Sequence, residues 1–288
     1  MKPLFILLAF SSVAFAAEPD YTIKNIDAKT VAYDGDIVAG SHKDLLAHLT
    51  PETELLKINS PGGNAEEAML MANDIRQRNI QLVVESACLS SCANYLFLAA
   101  RSKVLEPGAF LGFHGSLVGM LSRESISQFQ NGKLKSADLS NKGPREAFMK
   151  LGLLELEFLK SISVNRDLFK EIDKKLKPVI LKEKREPKVT GKIVLISSDN
   201  QWEYQINELE AAQEKAMNLA KAGIAVEIKM EMKREGTASN LAYFPDRGML
   251  EKYGVKGIAS YSYPKNAVEL NRRVVAKIGT GVNIFGNF

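Results

Sequence analysis

With 288 residues, 45% of them hydrophobic and 25% charged, the chain can bury a core without depending on metal or disulfide staples, and it suits one large domain or a domain with a sizeable insertion. A formal net charge of +4 is too small for a nucleic-acid partner, which would show clustered Lys and Arg interleaved with aromatics. The one basic run, Lys182–Lys188, is interrupted by Glu183 and Glu186 and reads as a solvated linker.

Residues 1–16, MKPLFILLAFSSVAFA, carry one positive charge at Lys2, an apolar stretch, and a small-residue end at Ala14-Phe15-Ala16. This is the pattern of a secretory signal cleaved after Ala16, and it is shorter than the roughly 18 apolar residues that would argue for a span. No later stretch is long and apolar enough to be read as a span. The expectation is an exported chain, most simply in a bacterial periplasm, with no membrane association after cleavage. Loss of Lys2 takes the net charge from +4 to +3.

From Tyr21 to Ser116 the pattern is compact α/β. TVAYDGDIVAG predicts a strand, a turn at Asp34-Gly35 and a short extended piece. Ser41 and Asp44 open a helix that carries His42 and His48, read as surface residues. ELLKIN is a strand ended by SPGG, and residues 64–78 repeat apolar groups at helical spacing through Ala65, Ala68, Met69, Ala72 and Ile75. IQLVVES is a strand, SCANYLFLAARS an apolar helix, and KVLE and FLGFH short strands around Pro107-Gly108. Such alternation predicts largely parallel strands with helices packed on them, and sites at the C-terminal ends of the strands. Residues 118–190 read as a polar, helical insertion and basic linker. From 191 to 288 the chain returns to α/β and is expected to complete the fold, with a strand at KIVLIS, a helix over 205–222, a strand at IAVEIKM, and a short helix and strand in PDRGMLEKYGVKGI.

The two cysteines, Cys88 and Cys92, bracket Leu89-Ser90-Ser91. In an exported protein a bridge between them is plausible if the helix starts near Ser91, and two small buried thiols are the alternative. Three segments carry groups that hydrolytic chemistry needs. Ser91 stands at a helix start, over the positive end of the helix dipole. Gly62 and Gly63 leave main-chain N–H groups open to a substrate oxygen. His114, one of three histidines, ends the strand FLGFH and offers a base. Taken singly these are a helix cap, a turn and a structural histidine. Histidine and cysteine are too few for a metal site, and no phosphate-binding glycine motif is present, so no cofactor is expected.

Read in order, KINSPGG at 57–63, Ser91 before CANYLFLAA, and His114 resemble the ClpP/crotonase superfamily, and specifically the proteolytic subunit of the Clp protease. The variant with CLSSCANY and PGAFLGFHGS looks like an exported, periplasmic branch. The resemblance covers about residues 30–116 and returns at FPDRGMLEKYGVKGI. It implies a ββα superhelix with a helical insertion, a serine peptidase acting on a peptide or other acyl substrate, and a homo-oligomer. It implies Ser91 as nucleophile, with Ser90 one residue away as the alternative, and His114 as general base. Gly62, Gly63 and the N–H of Cys92 would form the oxyanion hole. The position matching the family's aspartate falls near Ala242, which cannot orient an imidazole. Asp246, Asn240 and Asp167 are the candidates for that third role. A Ser–Lys pair through Lys103, or a Cys92 thiolate, are minor alternatives. A catalytically inactive scaffold that binds a partner through the insertion is the rival reading.

Overall fold

The architecture comes from a computed structural model, which describes residues 21–139, 144–182, 188–198, 200–205, 208–235, 241–278 and 282–288. The expected signal segment, residues 1–16, and Asn240 lie outside them.

The chain opens with β1 (Tyr21–Asn25), β2 (Thr30–Gly35), α1 (Ser41–His48), β3 (Leu55–Ser60), α2 (Ala65–Gln77) and β4 (Gln81–Leu89). A π-helix over Cys92–Phe97 follows, then β5 (Lys103–Leu105) and β6 (Phe110–Gly112). Short 3-10 turns at Leu117–Met120 and Ser136–Asp138 flank α3 (Arg123–Gln130). Next come α4 (Pro144–Ser161) and α5 (Asp167–Lys182). The remainder is β7 (Lys188–Ile196), β8 (Gln201–Gln205), α6 (Leu209–Lys221), β9 (Glu227–Glu235), β10 (Leu241–Phe244), α7 (Arg247–Lys252), β11 (Ile258–Tyr261), α8 (Ala267–Ile278) and β12 (Asn283–Gly286).

The main sheet runs β1-β2-β3-β4-β5-β11, with β6 also paired to β4 beyond β5. Only β1 and β2 are antiparallel; the other pairs are parallel. This is the α/β class expected from the alternation of strands and helices. Strand β3 shows why: Leu56 and Ile58 are buried, with the less buried Leu55 and Lys57 between them, the period of two that a sheet imposes. Helix α2 is capped by Asn64, whose side chain accepts from the N–H groups of Glu66 and Glu67. Its buried face is Ala68, Met69, Met71, Ala72 and Ile75. Burying each of its larger side chains is worth about 1.5–3 kcal/mol.

The C-terminal segment needs a correction. Strands β8-β7-β9 form a separate antiparallel three-stranded sheet that, with α6, buries Ile193, Leu195 and Ala212 in its own cluster. The reason lies in the pattern. QWEYQ alternates exposed and half-buried positions, as an antiparallel strand with one wet face does. So 191–288 does not complete the core as one piece. The return to the core begins at Leu241: β11 pairs with β5, β10 pairs with β12, and Phe113 and Tyr243 exchange two backbone hydrogen bonds of 2.8 and 2.7 Å.

Within the insertion, Glu155 on α4 is fully buried. It accepts from the Tyr95 hydroxyl (3.1 Å), the Ser116 hydroxyl (2.6 Å) and the Val118 N–H (2.8 Å). The insertion is thereby tied to the π-helix and to the segment just after His114. Among the described residues, no helix is long and apolar enough to cross a membrane.

Candidate functional site

The parallel ladder decides which groups meet. Strands β4 and β6 pair with Leu89 opposite Gly112, so Ser90 leaves the end of β4 beside His114 at the end of β6. The Ser90 N–H donates to the Gly112 carbonyl at 2.8 Å, and the Ser90 Oγ lies 2.6 Å from His114 Nε2. Ser90 has a φ of 53°, a left-handed conformation uncommon for serine. That turn points its side chain at the imidazole and brings the next residue into a helix.

Ser91 is placed differently. It is buried, accepts from the Gly63 N–H at 2.7 Å, and donates to the Gly63 carbonyl at 3.1 Å. The structure therefore pairs His114 with Ser90 and uses Ser91 to fasten the glycine loop. Of the two serines the sequence offered, Ser90 is the one beside His114, because β4 continues to Leu89 and the sharp turn falls on Ser90.

The glycines are required where they stand. A Cβ on Gly62 (φ 92°) would lie 2.5 Å from the Leu89 carbonyl oxygen and 2.9 Å from the Ser91 nitrogen. A Cβ on Gly63 would lie 2.1 Å from the Ile37 carbonyl oxygen. The loop is held like an added strand, with the Ile37 N–H donating to the Gly62 carbonyl and the Asn64 N–H donating to the Ile37 carbonyl. Both expected glycine donors have partners. The Gly62 N–H donates to Ser60 Oγ at 3.1 Å, and the Gly63 N–H to Ser91 Oγ. With the serine shifted by one, the helix-start donor shifts too, from the Cys92 N–H to that of Ser91. Groups in the first turn of a helix have no acceptor within it.

Cys88 and Cys92 form a disulfide with a Cα–Cα distance of 5.2 Å, closing a small ring around Ser90. A bonded Cys92 is no thiolate nucleophile. A ring this short stabilises by roughly 2 kcal/mol in the chain-entropy model. Thermal unfolding with and without a phosphine reductant should show a loss of that order.

Asn94 was not singled out from the sequence. Its Nδ2 donates to the carbonyls of both His114 and Gly115 at 3.2 Å, which fixes the main chain that carries the imidazole. The signal was present: a carboxamide inside an otherwise apolar buried stretch needs partners. Its Oδ1 has none among the described residues, so the donor end is the one in use.

The candidates for a third member separate. Asp246 caps α7, accepting from the Met249 N–H at 2.8 Å and from Asn287 Nδ2 at 3.2 Å. Asp167 opens α5 and pairs with Lys170 at 2.7 Å. Neither bonds His114. Ala242 lines the cavity that holds Ser90 and His114. Lys103 is opposite Leu82, at the far end of β4 from Ser90. Its Nζ donates to the Leu98 carbonyl at 3.0 Å, so it forms no pair with either serine. Burial, with Arg76 adding repulsion, lowers its pKa to about 7. Of the other histidines, His42 is partly buried and sits 2.6 Å from Asp74, and His48 bonds Asn25. Burial lowers the pKa of His114 below its usual value, which keeps its imidazole neutral at neutral pH.

Ser90, His114, Gly62 and Gly63 line one cavity of about 390 Å³ with Asp36, Ile37, Val38, Pro61, Leu89, Leu241, Ala242 and Val282. Larger grooves exist elsewhere on the surface, but this is the one that contains the serine–imidazole pair. Among the described residues no group of three or more His, Cys, Asp or Glu side chains is gathered as a metal site would need.

No family profile matches the chain, and no curated protein does. Solved structures do align with part of it. The 1510-N membrane-bound stomatin-specific protease, as a serine-to-alanine mutant, is 18% identical with a TM-score of 0.27 over 42% of this chain and 66% of its own. An enoyl-CoA hydratase from Mycobacterium avium subsp. paratuberculosis is 12% identical with a TM-score of 0.29 over 40% of this chain and 55% of its own. The same stomatin-specific protease, as a lysine-to-alanine mutant in complex with a substrate peptide, is 18% identical with a TM-score of 0.26 over 45% of this chain and 69% of its own. The chain thus spans less than two thirds of the length of the first two.

Proposed function

We propose that this chain is an exported serine hydrolase of ClpP-like type, acting on peptides or related acyl compounds, with Ser90 as nucleophile and His114 as general base. The observation that carries the reading is the 2.6 Å approach of Ser90 Oγ to His114 Nε2 beside the glycine loop. Ser90 Oγ attacks the acyl carbonyl carbon, and its proton moves to Nε2. The oxyanion that forms is met by the Ser91 N–H and by the Gly62 N–H, whose contact with Ser60 gives way. Collapse expels the leaving amine or alkoxide, which takes the proton back from Nε2. Water, deprotonated by the same imidazole, then releases the acyl group and frees Ser90. Export is supported by the leader-like residues 1–16 and by the disulfide, which persists in oxidising compartments.

The test is a neutral fluorophosphonate probe on the purified mature chain, followed by peptide mass mapping. The expected adduct is on Ser90, absent from Ser90→Ala and present in Ser91→Ala. Because only the neutral imidazole is a base, the labelling rate should rise with pH through a value below 6.5 and then stay level. An adduct on Ser91, or a rate indifferent to pH in that range, would overturn the assignment. One observation favours the rival, a non-catalytic binding protein: the His114 nitrogen away from Ser90 meets no acidic group among the described residues. Complete absence of labelling in the wild type would select it.

A further inference from the structure

The site cavity has a charge asymmetry that the chemistry of the pair does not use. Asp36 is the one acidic residue in a lining otherwise made of apolar residues, glycines, Ser90 and His114. Its main chain is fixed. The Tyr33 hydroxyl donates to the Asp36 carbonyl, and the next residue, Ile37, is bonded on both sides to the glycine loop. No hydrogen bond or ion pair engages its carboxylate among the described residues. The order of strands places it: β2, which leads to Asp36, then β3 with the glycine loop, then β4 with Ser90, then β6 with His114. Asp36 and His114 therefore flank Ser90 on opposite sides, so Asp36 is not the group that orients the imidazole. Two strand spacings, about 10 Å, separate the ends of β2 and β4. That is the reach of a long side chain or of about three residues of extended peptide.

The geometry points to Asp36 as a specificity-determining residue: the substrate carries a cationic nitrogen that sits against Asp36 while its carbonyl faces Ser90. The inference rests on the hydrolase reading and adds the substrate class to it. A carboxylate without a partner in a largely apolar pocket rewards a cation and penalises an anion more than it would in open water.

Three diphenyl phosphonates test it: an N-acetylated probe with a 4-aminobutyl side chain, its N-acetylated butyl counterpart, and the butyl probe extended at its nitrogen by two glycines that end in a free amine. In each, Ser90 Oγ bonds to phosphorus, phenoxide leaves, and His114 relays the proton to it. A cationic probe is expected to phosphonylate Ser90 about tenfold faster than the acetylated butyl probe, which corresponds to about 1.4 kcal/mol. Whichever cationic probe wins identifies a side-chain or a terminal ammonium. Asp36→Asn, checked by its melting temperature, should bring the ratio to about one, and added salt should reduce it in the wild type. Equal rates in the wild type, or a preference that survives Asp36→Asn, overturn the assignment. Labelling by the neutral fluorophosphonate without charge-dependent rates among the phosphonates, unreactivity included, overturns it while leaving the hydrolase reading in place. Failure of the fluorophosphonate as well removes both.

Discussion

Replacing Ser90 with alanine is expected to lower hydrolysis of an activated ester such as 4-nitrophenyl acetate by at least about 10³-fold, to near the buffer rate, with the fold intact. The side chain is half-buried and, among the described residues, its one hydrogen bond is to His114, so its loss removes the proposed attacking oxygen and little packing. Ser91→Ala behaves differently. It strips the exposed Gly63 N–H and carbonyl of their side-chain partner, which costs about 0.5–1.5 kcal/mol of stability and loosens the loop. Its activity should fall by about tenfold and its melting temperature should drop, whereas Ser90→Ala should lose activity without a comparable drop. Equal loss of activity in the two variants would mean that the turn, and not the Ser90 hydroxyl, is what the reaction needs. The wild-type rate itself should be modest. Among the described residues no carboxylate hydrogen-bonds the His114 ring, so the pair lacks a contribution worth up to about 10⁴-fold in complete triads.

The contrast between the two serines shows where sequence reading reached its resolution. The alternation of strands and helices and the glycine loop could be read because each rests on a pattern: alternation in β3, helical spacing in α2, paired glycines after a strand. A choice between adjacent serines rests on one dihedral angle. Nothing in SS distinguishes the residue that turns from the residue that begins the helix until the β4–β6 register is known. Asp246 caps α7 and Asp167 opens α5 against Lys170, and an aspartate at a helix start serves the helix as readily as it serves catalysis. The separate sheet of β7, β8 and β9 was hidden because a strand's partners, and so its sheet, are not encoded locally. Helix α8, with Leu270 and Val274 buried, carries an amphipathic pattern that could have been recognised. Glu155 could not have been, because its four nearest neighbours on α4, Leu153, Leu154, Leu156 and Glu157, are all apolar or acidic and its partners lie 37 to 60 residues away in the chain.

Glu155 carries the second large expectation, on stability. Glu155→Ala would leave the Tyr95 hydroxyl, the Ser116 hydroxyl and the Val118 N–H without the acceptor that the fully buried Glu155 supplies. The expected cost is about 3–5 kcal/mol, enough to be seen as a large shift in the denaturant midpoint. Glu155→Gln should cost much less. Its oxygen, set where Oε2 now accepts from Ser116 and Val118, keeps those two bonds, and its amide can donate to the Tyr95 oxygen. The difference between wild type and Glu155→Gln should also depend on pH with a defined sign. Burial raises the Glu155 pKa above its usual 4.5, and the hydrogen bonds from Ser116, Val118 and Tyr95 offset only part of that. Between the unfolded and folded values the native state holds the extra proton, so this carboxyl's contribution to stability falls as pH rises through that window. Above the window the cost of burying the charge is fully present, and Glu155→Gln, which has no charge to bury, gains on the wild type. Urea titrations of both proteins on either side of that window measure it directly. A wild type that gains on Glu155→Gln as pH rises would mean that the three donors, and not burial, dominate the carboxylate. In that case the insertion would be clamped to the π-helix and the His114 segment by an ion held in place at neutral pH.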